Sequence, residues 1–162
     1  MNMFRDVRVI SFDLDDTLWA IEPVIARANR VLFGWLEMRY PRITQGHTPE
    51  SLHSLCLVFM HQRPREKHDL TRLRKAFLRH LGEEAGYVED FAEDAFAVFF
   101  AERNKVELFP DVEAALARLV KRYRLVALSN GNACIERIGL TGYFSAQVSS
   151  ARVGVAKPDP AM

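Results

Sequence analysis

The sequence has 162 residues, of which 49% are hydrophobic and 27% are charged, and its formal net charge is +1. This length allows one domain with a sizeable core, or a small core domain that carries an insertion. The balanced charge gives no strong attraction to nucleic acid or to an acidic membrane, so neither is expected as a partner.

The amino terminus and the cysteines favour a cytoplasmic protein. The stretch MNMFRDVRVISF contains an acid and two arginines where a signal peptide needs an unbroken apolar run. No apolar run elsewhere is long enough to span a bilayer. Cys56 and Cys134 lie far apart, without a CxxC pair or a matching histidine spacing, so neither a zinc site nor a disulfide framework is indicated.

The first predicted element is a short buried strand that ends in a cluster of acids. The stretch VRVISF is rich in β-branched residues and precedes Asp13, Asp15 and Asp16, three carboxylates within four positions. Like charges this close repel each other, and a carboxylate drawn inward loses its hydration. We therefore expect a cation or a catalytic task at this point. A polar turn with Asx-type hydrogen bonds is the alternative.

The following section, residues 22–105, has helical spacing of its apolar side chains. Four amphipathic helices are predicted, over residues 23–40, 49–62, 70–81 and 87–99, and they can pack as a small bundle. Residues 63–80 contain seven lysines or arginines, and residues 83–94 contain six acids and no base. A basic helix can bind phosphate or nucleic acid, but neighbouring helices of opposite charge can also pair or remain solvated.

The third section alternates helix and strand. A crossover helix is predicted over residues 111–123, followed by a buried strand over residues 125–128 and a short strand near residues 147–150. Strands separated by helices predict a parallel α/β sheet, in which the carboxyl ends of the strands gather at one edge. Ligands bind at that edge in open α/β sheets.

The turn after the second strand has the composition of a phosphate site. The hydroxyl of Ser129 and the backbone N–H groups of the turn through Asn130 and Gly131 can hold phosphate oxygens, and Lys157 adds a positive charge. Mg²⁺ would allow carboxylates beside phosphate, since it takes carboxylate, carbonyl and phosphate oxygens together. One aspartate can then attack phosphorus while a second acid protonates the leaving oxygen.

Three ordered motifs, DLDDTLW, LSNG and KPDP, with an all-helical insert after the first, resemble the haloacid dehalogenase superfamily of Mg²⁺-dependent phosphohydrolases. The resemblance implies an α/β fold with a Rossmann-like parallel sheet core formed by residues 1–20 and 105–162. Residues 21–104 would be an inserted helical cap that closes over the site and selects the substrate, which would be a small phosphorylated metabolite.

The same resemblance implies a role for each motif residue. Asp13 would be the nucleophile and a metal ligand, and Asp15 the general acid and base and a metal ligand through its backbone carbonyl. Ser129 would bind the transferring phosphoryl group with the backbone around Asn130 and Gly131. Lys157 would hold both the phosphate and Asp13.

Within the superfamily, the stretches FDLDDTLW, EPVIARAN and SNGNACIERIGLTGYF are similar to YigB-type phosphatases, which act on flavin mononucleotide and on a phosphorylated intermediate of riboflavin synthesis. Dehalogenases share the pattern but lack the second acid, so Asp15 favours a phosphatase over a 2-haloacid dehalogenase. Asp16 stands where the commonest motif has glycine and is expected to be a turn residue.

The superfamily carries a further acidic motif after the lysine motif, and the sequence ends at Met162 before it. The expectation is a C-terminally truncated core, with an exposed apolar face and a bare sheet edge. A catalytically incomplete chain that acts as a phosphate- or protein-binding module is therefore an alternative to the enzyme. A phosphorylatable receiver domain is a weaker alternative, because it lacks a large helical insert.

Overall fold

A computed structural model describes residues 6–162. Within them, three strands form one parallel sheet in the order β1-β2-β3: β1 is Val9–Phe12, β2 is Arg124–Ser129 and β3 is Phe144–Ser149. The predicted α/β class and parallel sheet are confirmed.

The register of the sheet brings the carboxyl ends of all three strands to the same edge. Phe12 lies opposite Ala127, and Ser129 lies opposite Ser149. Asp13 and Ser129 therefore both lie at the carboxyl edge, where parallel α/β sheets bind their ligands.

The prediction that β1 is buried is wrong. Val9 is 53% exposed, and the described residues place β2 on only one side of β1. A strand with one paired side keeps its other side open to solvent. Leu125 and Ala127 of β2, which pair on both sides, are buried.

Five helices follow β1: α1 (Ile21–Arg39), α2 (Pro41–Thr44), α3 (Pro49–His61), α4 (Leu70–Glu84) and α5 (Ala92–Arg103). A 3₁₀ turn at Pro64–Glu66 precedes α4. Local signals explain their starts. Thr48 and Ser51 form a capping box before α3, with proline at its first position, and the Asp69 carboxylate accepts from the N–H of Arg72 at the start of α4.

The predicted start of the fourth long helix is wrong. Tyr87 and Phe91 fit the helical spacing but precede α5, which begins at Ala92. Their rings pack around Tyr40, with the Tyr40 and Phe91 centroids 4.1 Å apart. The Asp90 carboxylate accepts from the N–H of Ala92, which allows the helix to start there.

The sheet section carries three shorter helices: α6 (Val112–Leu119), α7 (Ile135–Ile138) and α8 (Ser150–Val153). The predicted crossover helix, α6, ends four residues early because residues 120–123 form turns before β2. The chain divides into two compact units. The sheet unit consists of residues up to Ile21 together with Val106–Met162, and the helical unit is Glu22–Lys105.

The core of the helical unit is aromatic and aliphatic, and α1, α3, α4 and α5 all contribute to it, with buried Leu36, Cys56, Leu78 and Phe99 among its members. In the part of the chain that the structure describes, no helix combines the length and hydropathy needed to cross a membrane.

The basic helix α4 pairs with acids at the start of α5. Lys75 Nζ lies 2.6 Å from Glu93 Oε2, and Arg79 Nε lies 2.9 Å from Asp90 Oδ2. Arg72, also in α4, forms an ion pair with Glu66 of the 3₁₀ turn that precedes this helix. These contacts agree with the interpretation that helices of opposite charge face each other.

Candidate functional site

The loop after β1 alternates an exposed carboxylate with a buried apolar side chain. Asp13 follows the strand directly, and its side chain is 47% exposed. Leu14 is fully buried, which turns the carboxylates on either side of it away from the core. The N–H of Leu14 donates to Asp13 Oδ1 at 2.9 Å, so the backbone holds one oxygen of this carboxylate.

Lys157 is the charged partner of Asp13. Its Nζ lies 2.9 Å from Asp13 Oδ1 and donates to the carbonyl of Leu128 at 2.8 Å. Leu128 belongs to β2, so a sheet carbonyl fixes the ammonium at the same edge as the carboxylate. The lysine therefore offsets the charge of Asp13 at the edge of the sheet.

Asn130 holds the backbone of Lys157 in place. The Lys157 N–H donates to Asn130 Oδ1 at 2.7 Å, and Asn130 Nδ2 donates back to the Lys157 carbonyl at 3.2 Å. The two residues are 27 positions apart, so this pair joins the turn after β2 to the last segment of the chain. The Asn130 carbonyl also accepts from the Ser150 hydroxyl.

Ser129 and Gly131 close the turn after β2. The Gly131 N–H donates to Ser129 Oγ at 2.9 Å, and Ser129 is 1% exposed. The Ser129 hydroxyl is therefore buried at the carboxyl edge of the sheet. Its oxygen accepts a hydrogen bond from Gly131, and its proton is available to donate another.

Asp15 is positioned by a tryptophan of its own loop. The Trp19 indole N–H donates to Asp15 Oδ1 at 3.0 Å, and Trp19 is fully buried. This hydrogen bond was not predicted from the sequence. Asp15 and Trp19 are four residues apart in the sequence. That spacing places the two side chains near each other, but it does not tell whether the indole donates a hydrogen bond or only packs.

Asp16 shapes the turn. Its backbone has a φ of 58°, in the left-handed region that asparagine, aspartate and glycine adopt most easily. Its Oδ1 accepts from the N–H of Ile21 at the start of α1. The side chain is thus used as a helix cap.

The structure brings most of the predicted residues into direct contact. Asp13 forms an ion pair with Lys157, and the Lys157 backbone is hydrogen-bonded to Asn130. Ser129 and Gly131 are hydrogen-bonded to each other. Asp15 is hydrogen-bonded to Trp19 in the loop that carries Asp13. The result is one ammonium, one buried hydroxyl and two carboxylates with different surroundings. Such a set can bind an oxyanion, attack it and transfer a proton.

The comparisons with known proteins agree on a family. A family model described as haloacid dehalogenase-like hydrolase matches residues 7–162. The 5-amino-6-(5-phospho-D-ribitylamino)uracil phosphatase YigB of Escherichia coli (strain K12) is 31% identical over 156 residues, which are 94% of this chain and 65% of YigB. The phosphoserine phosphatase of Thermus thermophilus is 37% identical over 93 residues, 54% of this chain and 37% of that protein.

A solved structure is similar as well. The 2-haloacid dehalogenase from Pseudomonas syringae pv. Tomato DC3000 superposes with a TM-score of 0.85 at 37% identity, over 96% of this chain and 69% of that one. The chain thus spans just under two thirds of the length of YigB and about two thirds of the dehalogenase.

Proposed function

The chain belongs to the haloacid dehalogenase-like hydrolase family, and from that premise we propose that it is a phosphohydrolase acting on a small phosphorylated metabolite through an aspartyl phosphate. The observation that carries the proposal is the pair of carboxyl groups on one loop with different partners. Asp13 is held by an ammonium, and Asp15 by an indole N–H.

Asp13 is assigned as the nucleophile. Its Oδ1 is occupied by the Lys157 ammonium and the Leu14 N–H, which leaves Oδ2 for attack on phosphorus. As the new oxygen–phosphorus bond forms, the bond from phosphorus to the ester oxygen of the substrate breaks. Lys157 and the Ser129 hydroxyl offset the negative charge on the phosphoryl oxygens.

Asp15 is assigned as the general acid and base. It gives its proton to the leaving ester oxygen and then takes a proton from the water that attacks the phosphoryl group. The bond from phosphorus to Asp13 breaks in that second step and releases inorganic phosphate. The Trp19 N–H keeps the Asp15 carboxyl in one orientation during both transfers.

The donor set fits Mg²⁺ in chemical type. Among the described residues no group of three histidine, cysteine or acidic side chains surrounds a common point. Mg²⁺ uses one or two carboxylates and takes its remaining oxygens from water and substrate phosphate. The Asp13 carboxylate and the Asp15 backbone carbonyl are the proposed protein ligands. A bound Mg²⁺ would supply charge neutralisation between carboxylate and phosphate.

The proposed substrate class follows from the similarity to YigB, a phosphatase of a phosphorylated ribitylaminouracil. Flavin mononucleotide and riboflavin-pathway phosphates are the first candidates. We assign the helical unit as the cap that selects among such esters.

Dehalogenation of a 2-haloacid is the second candidate function, because the similar structure from P. syringae is a 2-haloacid dehalogenase. In that reaction the carboxylate displaces a halide, which needs no proton. A positioned Asp15 carboxyl has no task in that step, and this favours ester hydrolysis.

The two candidates separate in one set of assays. We expect Mg²⁺-dependent phosphate release from p-nitrophenyl phosphate and flavin mononucleotide, and no chloride release from 2-chloropropionate. Asp13→Asn abolishes phosphate release. Asp15→Asn lowers flavin mononucleotide turnover by about 10²- to 10⁴-fold, the usual contribution of a general acid.

Asp16→Asn is the matched control, since asparagine tolerates a positive φ and its amide oxygen can accept from Ile21. Its activity should equal that of the unmodified chain. Chloride release that persists in Asp15→Asn would overturn the proposal in favour of the dehalogenase.

A further inference from the structure

The interior of the helical unit contains a small pocket with positive charge and no acid in its lining. It lies between α1, α3 and α4, and its polar lining residues are Asn29, His53, Cys56 and Arg74. The other lining residues are apolar. They approach so closely that the remaining space is about 10 Å³, which admits one small group of roughly the size of a water molecule.

Arg74 is a buried cation without a counter-ion in the described part of the chain. It is 7% exposed, its guanidinium carbon lies 3.7 Å from the centre of the Phe99 ring, and its Nη1 donates to Asn29 Oδ1 at 3.0 Å. No described carboxylate forms an ion pair with it. A buried charge is strongly destabilising unless it is paired.

Burial lowers the pKa of Arg74, yet a guanidinium stays protonated in proteins. Burial also lowers the pKa of His53 and raises that of the Cys56 thiol, so both are neutral at pH 7. The pocket therefore carries one net positive charge.

Two further polar atoms beside Arg74 lack partners among the described residues. Asn29 is 8% exposed, and because its oxygen accepts from Arg74, its Nδ2 must act as a donor elsewhere. That Nδ2 is buried without a hydrogen-bond partner, and so is His53 Nδ1. A buried donor without a partner destabilises the folded chain, so both atoms favour a bound acceptor.

We propose that this pocket binds a monovalent anion of chloride size, held by the Arg74 guanidinium, the Asn29 amide and His53 in its Nδ1–H tautomer. The anion pairs the buried charge and accepts from the unpartnered donors. The site lies entirely within the helical unit and is independent of the phosphohydrolase assignment, which rests on residues of the sheet unit.

The test measures thermal unfolding of the whole chain against increasing sodium chloride or bromide, with sodium gluconate keeping the ionic strength constant. Ligand binding to the folded state raises the midpoint in a saturable manner. We expect that saturable rise with both halides. No difference between halide and gluconate would overturn the proposal, and stabilisation by sulfate alone would overturn the assigned size.

Asn29→Asp locates the site, because the new carboxylate would pair with Arg74 and take the place of the anion. Its unfolding midpoint should no longer depend on halide. Arg65→Met removes an exposed arginine outside the pocket and should keep the full response. A halide response that survives in Asn29→Asp would contradict the location.

Bromide anomalous scattering from crystals of the unmodified chain gives a readout that does not depend on the variants. The expected result is one bromide between Arg74 and Asn29. Well-defined density there without an anomalous signal would mean a water molecule and would overturn the proposal.

Discussion

A single lysine joins the two sides of the candidate site. Lys157 contacts the Asp13 carboxylate and a carbonyl of β2 at the same time. This geometry fixes the position of the charge before any substrate binds, which is how preorganised groups lower a reaction barrier.

Lys157→Met tests that role. Because the role proposed for the lysine is to offset charge on the phosphoryl oxygens and to orient Asp13, we expect kcat for phosphate release to fall by about 10²- to 10³-fold. The measurement is steady-state kinetics with p-nitrophenyl phosphate. Lys121→Met, at an exposed position in the turn before β2, is the control and should leave kcat unchanged. Equal activities of the two variants would exclude the assigned role.

Asn130 holds the backbone of Lys157, so its proposed influence on the reaction is indirect. Asn130→Ala removes both hydrogen bonds to the Lys157 backbone, so we expect a smaller fall in kcat than in Lys157→Met. Asn130→Asp keeps the acceptor for the Lys157 N–H and should recover part of the loss. Equal impairment of the alanine and aspartate variants would show that the hydrogen bond from the Lys157 N–H to Asn130 does not support the reaction.

At the scale of elements, the end of α4 is shaped by a close approach to the loop before α5. A Cβ added at Gly82 would lie 2.8 Å from Phe91 Cε1. Phe91 is buried and stacked on Tyr40, so its ring has little room to move. Glycine is used here for space, since its φ is not in the left-handed region.

Gly82→Ala should therefore destabilise the chain by about 1–3 kcal/mol, the usual cost of overpacking. Gly34 in α1 is the matched control, because nothing lies within 4 Å of its added Cβ. Gly34→Ala should stabilise by about 0.5–1 kcal/mol through helix propensity. Urea unfolding of both variants measures the difference. A stabilised Gly82→Ala would show that the Phe91 ring gives way.

The start of a helix was predictable where capping residues or a proline stand at that point of the sequence. Pro49 and Thr48 signal the start of α3 in the sequence itself. The start of α5 was not predictable, because Tyr87 and Phe91 have helical spacing yet bind Tyr40 from a loop. Periodicity reports which side chains are apolar, and it cannot tell a helical face from a loop that packs on the same core.

At the scale of the whole molecule, the sequence predicts which strand edge carries the site but not how its residues are held. Asp13 directly follows β1 and Ser129 is the last residue of β2, and because these two strands pair in parallel, their common edge was predictable. The bonds from Trp19 to Asp15 and from Asn130 to Lys157 depend on side-chain orientation and on contacts across 27 positions. No spacing rule encodes those contacts.

The proposed reaction assigns its two carboxylates to separate steps, and this allows the intermediate to be trapped. Nitrophenolate leaves without a proton, so Asp15→Asn should still be phosphorylated by p-nitrophenyl phosphate. The second step then slows, because no base activates water. The phosphoryl group should therefore accumulate on Asp13.

The most direct measurement is mass spectrometry of Asp15→Asn after incubation with Mg²⁺ and p-nitrophenyl phosphate. The account predicts a mass gain of one phosphoryl group, mapped to the peptide that contains Asp13 and absent from the Asp13→Asn, Asp15→Asn double variant. Nitrophenolate release without any phosphorylated protein, or a phosphoryl group on another residue, would contradict it.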